Sequence, residues 1–114
     1  MSYSDIDYLR HIYDECNYLI LASERLSKQN FEKDETLKRA FVRSLEIIGE
    51  ATKKLSPEIR ENYPDIEWKA LARMRDKLIH NYFGIDYDIV WNVVQIKTPL
   101  LRQTVFQILS QNHF

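Results

Sequence analysis

Apolar positions recur at helical rather than strand spacing along most of the chain. Ser4 followed by Asp7 reads as a capping-box-like start, and Ile6, Leu9, Tyr13, Cys16 and Ile20 then come at helical intervals, with Ile12 and Leu19 broadening the face. This predicts a first helix from about Asp5 to Ser27. The polar run from Ser27 to Asp34 breaks the period and reads as a connection, with Asp34 placed to cap the next helix. From Glu35 to Leu55, one stripe is formed by Leu37, Phe41, Leu45, Ile48 and Leu55. A second, of Ala40, Ser44, Ile47 and Ala51, lies beside it. A helix with so wide an apolar face must pack on more than one neighbour. Gly49 sits inside it, where glycine costs about 1 kcal/mol relative to alanine, and so predicts a close helix approach.

Ser56-Pro57 predicts an N-cap and first helical residue for a short helix through Tyr63, which Pro64 stops. The stretch from Pro64 to Trp68 opens a further helix that Gly84 closes as a left-handed C-cap. Asp86 or Asp88 caps a last helix through Ile89, Trp91, Val93, Val94 and Ile96. There Pro99 either kinks the helix or begins a terminal one with Leu101, Val105, Ile108 and Leu109. Four to five helices on short connections predict an all-α fold, an antiparallel up-and-down bundle.

Composition agrees with that reading. A chain of 114 residues fits a single domain spanning 1–114, and two glycines and three prolines are too little turn chemistry for a fold of many short strands. No apolar run approaches the roughly 18 residues of a membrane span, and the first residues lack a signal peptide's basic start and apolar core, so a cytoplasmic location is expected. The single cysteine, Cys16, falls on the apolar face of the first helix and reads as a small core residue.

The net charge of −1 hides an asymmetry. Residues 1–37 carry eight acids against four bases, residues 38–80 seven against ten, and residues 81–114 two of each, so only the middle third is mildly basic. That falls short of the basic stripe of a duplex-binding domain, and any nucleic-acid contact should be local and salt-sensitive.

The stretch "RMRDKLIHNYFG", residues 73–84, is where chemistry concentrates. On a wheel of about 100° per residue, Trp68, Leu71, Leu78 and Ile79 define the apolar stripe, and Arg75 and Tyr82 fall inside it. A guanidinium there must snorkel, pair with a buried acid, or face a cleft or partner subunit. His80 lies about 140° from Arg75 on the ideal wheel. Bringing the two together needs the reach of the arginine, a distorted last turn, or a second copy of the helix across a two-fold axis.

"RDKLIHNY", Arg75 to Tyr82, resembles the R-x4-H-x-Y signature of the HEPN superfamily, in which a polar residue, here Asp76, comes directly after the arginine. The segment from Arg43 to Trp91, "RSLEIIGEATKKLSPEIRENYPDIEWKALARMRDKLIHNYFGIDYDIVW", resembles the DUF86 or HepT-like branch, including its isoleucine-glycine-glutamate turn and "YFGID…VW" tail. The resemblance implies a homodimeric helical bundle with two Arg/His sets in a shared cleft. It also implies a ribonuclease toxin of a type VII (HEPN/MNT) toxin–antitoxin pair. In such a pair an MNT-type nucleotidyltransferase antitoxin uses ATP to transfer AMP onto the motif tyrosine, here Tyr82.

The residue types suit RNA cleavage. An imidazole with a pKa of about 6.5 can take a proton from a ribose 2′-hydroxyl or give one to the leaving oxygen, which assigns His80 as acid or base. A guanidinium grips phosphate at two points and stabilises developing charge, which assigns Arg75 as the phosphate clamp. This reading needs no metal or cofactor, and the expected product ends in a 2′,3′-cyclic phosphate. Transfer RNA or messenger RNA is the expected substrate, and no membrane partner is expected. Tyr82 lies about 20° from Arg75 on the wheel, so AMP on it would cover the same surface. The alternative is a non-catalytic substrate-binding subunit of a nucleotidyltransferase.

Other features weigh less. Tyr3, Tyr8, Tyr13 and Tyr18 recur every five residues and read as a half-exposed aromatic flank that could also stack bases. Asp86 and Asp88 read as a helix cap rather than a metal site, and His11, His80 and His113 lack ligand spacing. Lys53-Lys54 reads as a solvated helix end that could add to an RNA-facing patch.

Overall fold

The computed structural model describes residues 3–78 and 84–111, and the elements within them are helices. They are α1 (Tyr3–Ser23), α2 (Lys28–Lys33), α3 (Glu35–Lys53), α4 (Pro57–Asn62), α5 (Trp68–Ala72), α6 (Met74–Leu78) and α7 (Tyr87–Asn92). A π-helical turn (Val93–Lys97) then leads into α8 (Thr98–Gln111). No described helix is long and apolar enough to cross a membrane.

α1 packs on α3 along one flank and on α8 along the other. Ser44 Oγ donates to Glu15 Oε1 at 2.7 Å, and the Ser56 amide donates to Asp5 Oδ1 at 3.0 Å. As one number rises the other falls, so α1 and α3 run antiparallel. Ile6, Leu9, Ile12, Cys16 and Leu19 are the buried line of α1, while Tyr13 and Ile20 are only half-buried, so the core face is centred on Ile12 and Leu19. The capping-box expectation at Ser4 fails, because α1 already includes Tyr3 and Ser4. Asp5, 4% exposed, is turned inward to hold the start of α4.

Cys16 is fully buried, and burial pushes its thiol up from an ordinary 9.0 to about 12. The folded state therefore keeps a proton that the unfolded chain releases above about pH 9. This contribution to stability is intact below that pH and is lost as pH climbs toward 12. Folded protein at pH 8 should leave Cys16 unmodified by iodoacetamide, with one carbamidomethyl group appearing by intact mass only after denaturant is added.

The run read as a connection contains a helix. Ser27 Oγ accepts the Asn30 amide at 3.0 Å and starts α2. The six-residue element is too short to show a period, and tertiary contact explains it: Phe31 is fully buried, stacked on Phe41 with centroids 5.0 Å apart and 5.3 Å from the Trp91 ring. Asp34 then caps α3 as expected, its Oδ1 accepting the Leu37 amide at 3.0 Å. At the far end of α3, Arg60 of α4 donates from Nη2 to the Thr52 carbonyl at 2.7 Å, placing a cation at the negative end of the helix dipole.

Beyond Gly84, Asp86 rather than Asp88 is the cap of α7, its Oδ1 accepting the amides of Asp88 at 3.0 Å and Ile89 at 3.2 Å. Pro99 neither stops nor restarts the chain's helical course. It has no amide hydrogen and its ring crowds the carbonyl one turn back, and the turn ahead of it widens to π spacing. Thr98 fills the gap, its Oγ1 donating to the Val93 carbonyl at 3.1 Å.

Gly84 has φ +82°, as the sequence predicted, and an added Cβ would meet no atom within 4 Å. Its requirement is thus backbone conformation alone. Gly84→Ala should cost about 1–2 kcal/mol in chemical denaturation, while Gly84→Asn should cost less.

Candidate functional site

The helix expected from Pro64 to Gly84 is divided. Residues 64–67 form turns, and Trp68, 4% exposed, opens α5 with its indole Nε1 donating back to the Tyr63 carbonyl at 2.8 Å. Arg73, with φ −98° and ψ 16°, interrupts the run between α5 and α6. Its amide bonds back to the Lys69 carbonyl at 3.1 Å and its carbonyl accepts the Lys77 amide at 3.0 Å.

The buried line through this region is Trp68, Leu71, Met74 and Leu78. Arg75 does not share it. The wheel placed the arginine within the apolar stripe, but Met74, 2% exposed, takes the inward position, and the Arg75 side chain is 67% exposed. Asp76 and Lys77 are exposed beside it. The core thus holds α6 by Met74 and Leu78 and directs Arg75 to solvent.

What fixes the height of α6 against the bundle is Gly49. An added Cβ there would lie 2.9 Å from the Leu71 carbonyl oxygen and 3.4 Å from Met74 Cβ, so α3 and the α5–α6 joint touch backbone to backbone. The close approach predicted from Gly49 is therefore present, and it occurs where α5 gives way to α6. One turn earlier on α3, Glu46 Oε2 lies 4.0 Å from Arg75 Nε. Glu46 is the residue that sequence reasoning missed. Its signal was the three-residue step to a glycine already expected to touch a neighbour. At 4.0 Å and with Arg75 this exposed, the pair is screened by solvent, and it orients the guanidinium more than it stabilises the fold.

His80 and Tyr82 lie outside the described residues. The chain leaves the described part at Leu78 and is tied back to it, since the Asp86 amide donates to the Leu78 carbonyl at 3.0 Å. Leu78 and Asp86 are thereby held together on the helix that carries Arg75.

Charges near the site are mostly solvated. On the far flank of α5, Lys97 Nζ sits 2.8 Å from Glu67 Oε1 and holds that exposed carboxyl below the usual carboxylate range. A narrow cleft of about 70 Å³, lined by Ile66, Leu71, Met74, Val93 and Leu101 with Lys77 at its mouth, lies on that side and does not include Arg75. Among the described residues, no three His, Cys, Asp or Glu side chains converge so as to hold a metal ion.

The aromatic flank expected on α1 is not a row. Five residues advance a helix by about 140°, which sends successive tyrosines to different neighbours. The Tyr8 ring lies 5.8 Å from Lys54 Nζ, Tyr13 is 6.0 Å from Phe106 on α8, and Tyr18 is edge-on to Phe41 at 6.1 Å.

The family model described as "Ribonuclease HepT-like" matches residues 6–108. A protein of Caldanaerobacter subterraneus subsp. tengcongensis, named as a candidate RNase, is 50% identical over 104 residues, covering 91% of this chain and 93% of its own. A Methanocaldococcus jannaschii protein named in the same way is 42% identical over 92 residues, covering 81% of this chain and 76% of its own. A protein of Thermococcus cleftensis named as a candidate ribonuclease HepT is 37% identical over 102 residues, covering 90% and 93%. No solved structure matches the chain.

Proposed function

Since the chain belongs to the HepT-like ribonuclease family, we propose that it is an RNA endonuclease whose reaction uses Arg75 and His80 without a metal ion. The observation that supports this most is Arg75 itself: a cation 67% exposed on a helix locked into the core by its neighbour Met74, with Glu46 a loose carboxylate partner among the described residues.

His80 takes the proton from a ribose 2′-hydroxyl, and the freed oxygen attacks the adjacent phosphorus. The bond from phosphorus to the 5′-oxygen breaks, and that oxygen leaves with a proton given by the imidazolium, which returns to its neutral form. One product ends in a 2′,3′-cyclic phosphate and the other in a 5′-hydroxyl. Arg75 binds the non-bridging oxygens, where charge builds in the transition state. The family resemblance supports a homodimer that gathers two Arg/His sets in one cleft.

In this reading the protein is the toxin of a type VII toxin–antitoxin pair. Its MNT-type nucleotidyltransferase partner silences it by moving AMP from ATP onto Tyr82 with release of pyrophosphate, which adds an anionic phosphate and a bulky base to the motif that carries Arg75. Transfer RNA or messenger RNA is the substrate. The test is to incubate purified protein with total cellular RNA, with and without prior treatment by the partner and ATP, and to map the new ends. Cleavage that disappears after treatment, with AMP mass gained on Tyr82, is expected. No cleavage in either arm would favour a non-catalytic substrate-binding subunit.

A further inference from the structure

An open groove of about 250 Å³ runs between α1 and α3. Tyr8 and His11 line it from α1, and Arg43, Ile47, Glu50, Ala51 and Lys54 from α3 and its end. We propose that this groove binds one unstacked nucleotide of a single-stranded RNA whose scissile phosphate is held by Arg75. The inference rests on the ribonuclease reading and adds to it where, and in what form, the substrate strand lies.

Three observations converge. The groove has an aromatic face and an apolar floor, since Tyr8 and Ile47 are half-buried and Ala51 is buried, and this is the surface on which a base stacks irrespective of its identity. Its α3 rim is cationic: Arg43 is exposed, Lys54 lies 5.8 Å from the Tyr8 ring, and the one acid there, Glu50, is engaged by Lys53 at 3.2 Å. Among the residues lining the groove, α1 supplies Tyr8 and His11 and no lysine or arginine. A phosphate is therefore drawn to the α3 rim, while the uncharged base turns toward Tyr8 and His11.

The groove is also in register with the proposed catalytic arginine. Glu46 reaches Arg75, and Glu50, one turn further along α3, lines the groove. Four residues apart, Glu46 and Glu50 are neighbours on the surface of α3. A strand gripped by Arg75 needs only to cross the solvent face of α3 to place a neighbouring base in the groove. A base paired in a duplex is stacked and cannot turn in, so the groove selects loops, bulges and ends.

The test uses a fluorescent single-stranded RNA with 2′-O-methyl riboses, which binds but lacks the attacking hydroxyl. Affinity is measured by anisotropy across a salt series. The double variant Arg43→Ala/Lys54→Ala should bind about tenfold more weakly and flatten the slope of log affinity against log salt by about 1.4, the value for two lost phosphate contacts on a single strand. Tyr8→Leu should lose about tenfold and Tyr8→Phe almost nothing, since the phenylalanine ring still stacks. Arg43 and Lys54 are both exposed, so the double variant reports even where a Tyr8 variant fails to fold.

Unchanged affinity and salt slope in the double variant, with Arg75→Ala still weakening binding, would overturn the groove. Cleavage of unmodified RNA by the wild-type protein would at the same time leave the ribonuclease reading standing. Groove-dependent binding with no cleavage of any RNA would instead support the groove and remove the nuclease.

Discussion

Arg75→Ala should lower the rate of RNA cleavage about 100- to 1,000-fold, the loss typical when one preorganised donor to a developing oxyanion is removed. The fold should be nearly untouched. Arg75 is 67% exposed and its Glu46 partner stands 4.0 Å away, so the melting free energy should move by no more than about 0.5 kcal/mol. Arg75→Lys should recover only part of the rate, because an ammonium keeps the charge but loses the planar two-point grip. Single-turnover cleavage of a short labelled RNA, together with thermal unfolding of the same preparations, separates these effects. An alanine variant with wild-type turnover would move the phosphate contact elsewhere, Arg73 and Lys77 being the cations two residues to either side.

Gly49→Val should be the most damaging substitution for the scaffold beneath the site. A Cβ at Gly49 already meets the Leu71 carbonyl oxygen at 2.9 Å, and that oxygen belongs to backbone that cannot rotate away. Two further methyl groups must push α3 off the α5–α6 joint, at about 3 kcal/mol, the upper end of ordinary overpacking costs. For a domain near this size that corresponds to a fall in melting temperature of about 10 °C or more. Gly49→Ala is gentler, since alanine recovers about 1 kcal/mol of helix propensity against the same clash. The Val variant should lose cleavage beyond what its folded fraction explains, because α6 carries Arg75. Normal stability in the Val variant would mean that α3 and the joint are not in backbone contact.

The same glycine shows how far sequence alone reaches. An interior glycine in an otherwise strong helix has few physical explanations, and close approach was the correct one. Asp34 and the left-handed backbone at Gly84 were legible for the same reason, since each is a local device whose chemistry is written in one or two residues. Ser4, by contrast, misled, and the choice between Asp86 and Asp88 needed the structure. α2 was not legible, because six residues carry no period and its anchor, Phe31, gains its partners Phe41 and Trp91 from distant parts of the chain. The interruption at Arg73 was hidden too. An ideal wheel assumes one unbroken helix and, with Ile79 counted in the stripe, put Arg75 inward where Met74 is found.

That error bears on the site. The sequence picked out Arg75 for a reason that does not hold, an arginine on a buried stripe, and the motif resemblance picked it out independently. Its exposure is the more useful property for a group that must meet a phosphate. Glu46 could be found only once α3 and α6 were side by side, for nothing in the motif points 29 residues back to it. His80 and Tyr82 rest on the motif alone.

The most direct measurement of Arg75/His80 chemistry uses one RNA cleaved at a mapped position and the same RNA with a single 2′-deoxyribose immediately 5′ to that bond. Cleavage of the first with a 2′,3′-cyclic phosphate end, lost in the second and in Arg75→Ala and His80→Ala variants that remain folded, is the expected result. Cleavage of the deoxy-substituted bond at an undiminished rate would contradict attack by the neighbouring 2′-oxygen, and with it the roles given to Arg75 and His80.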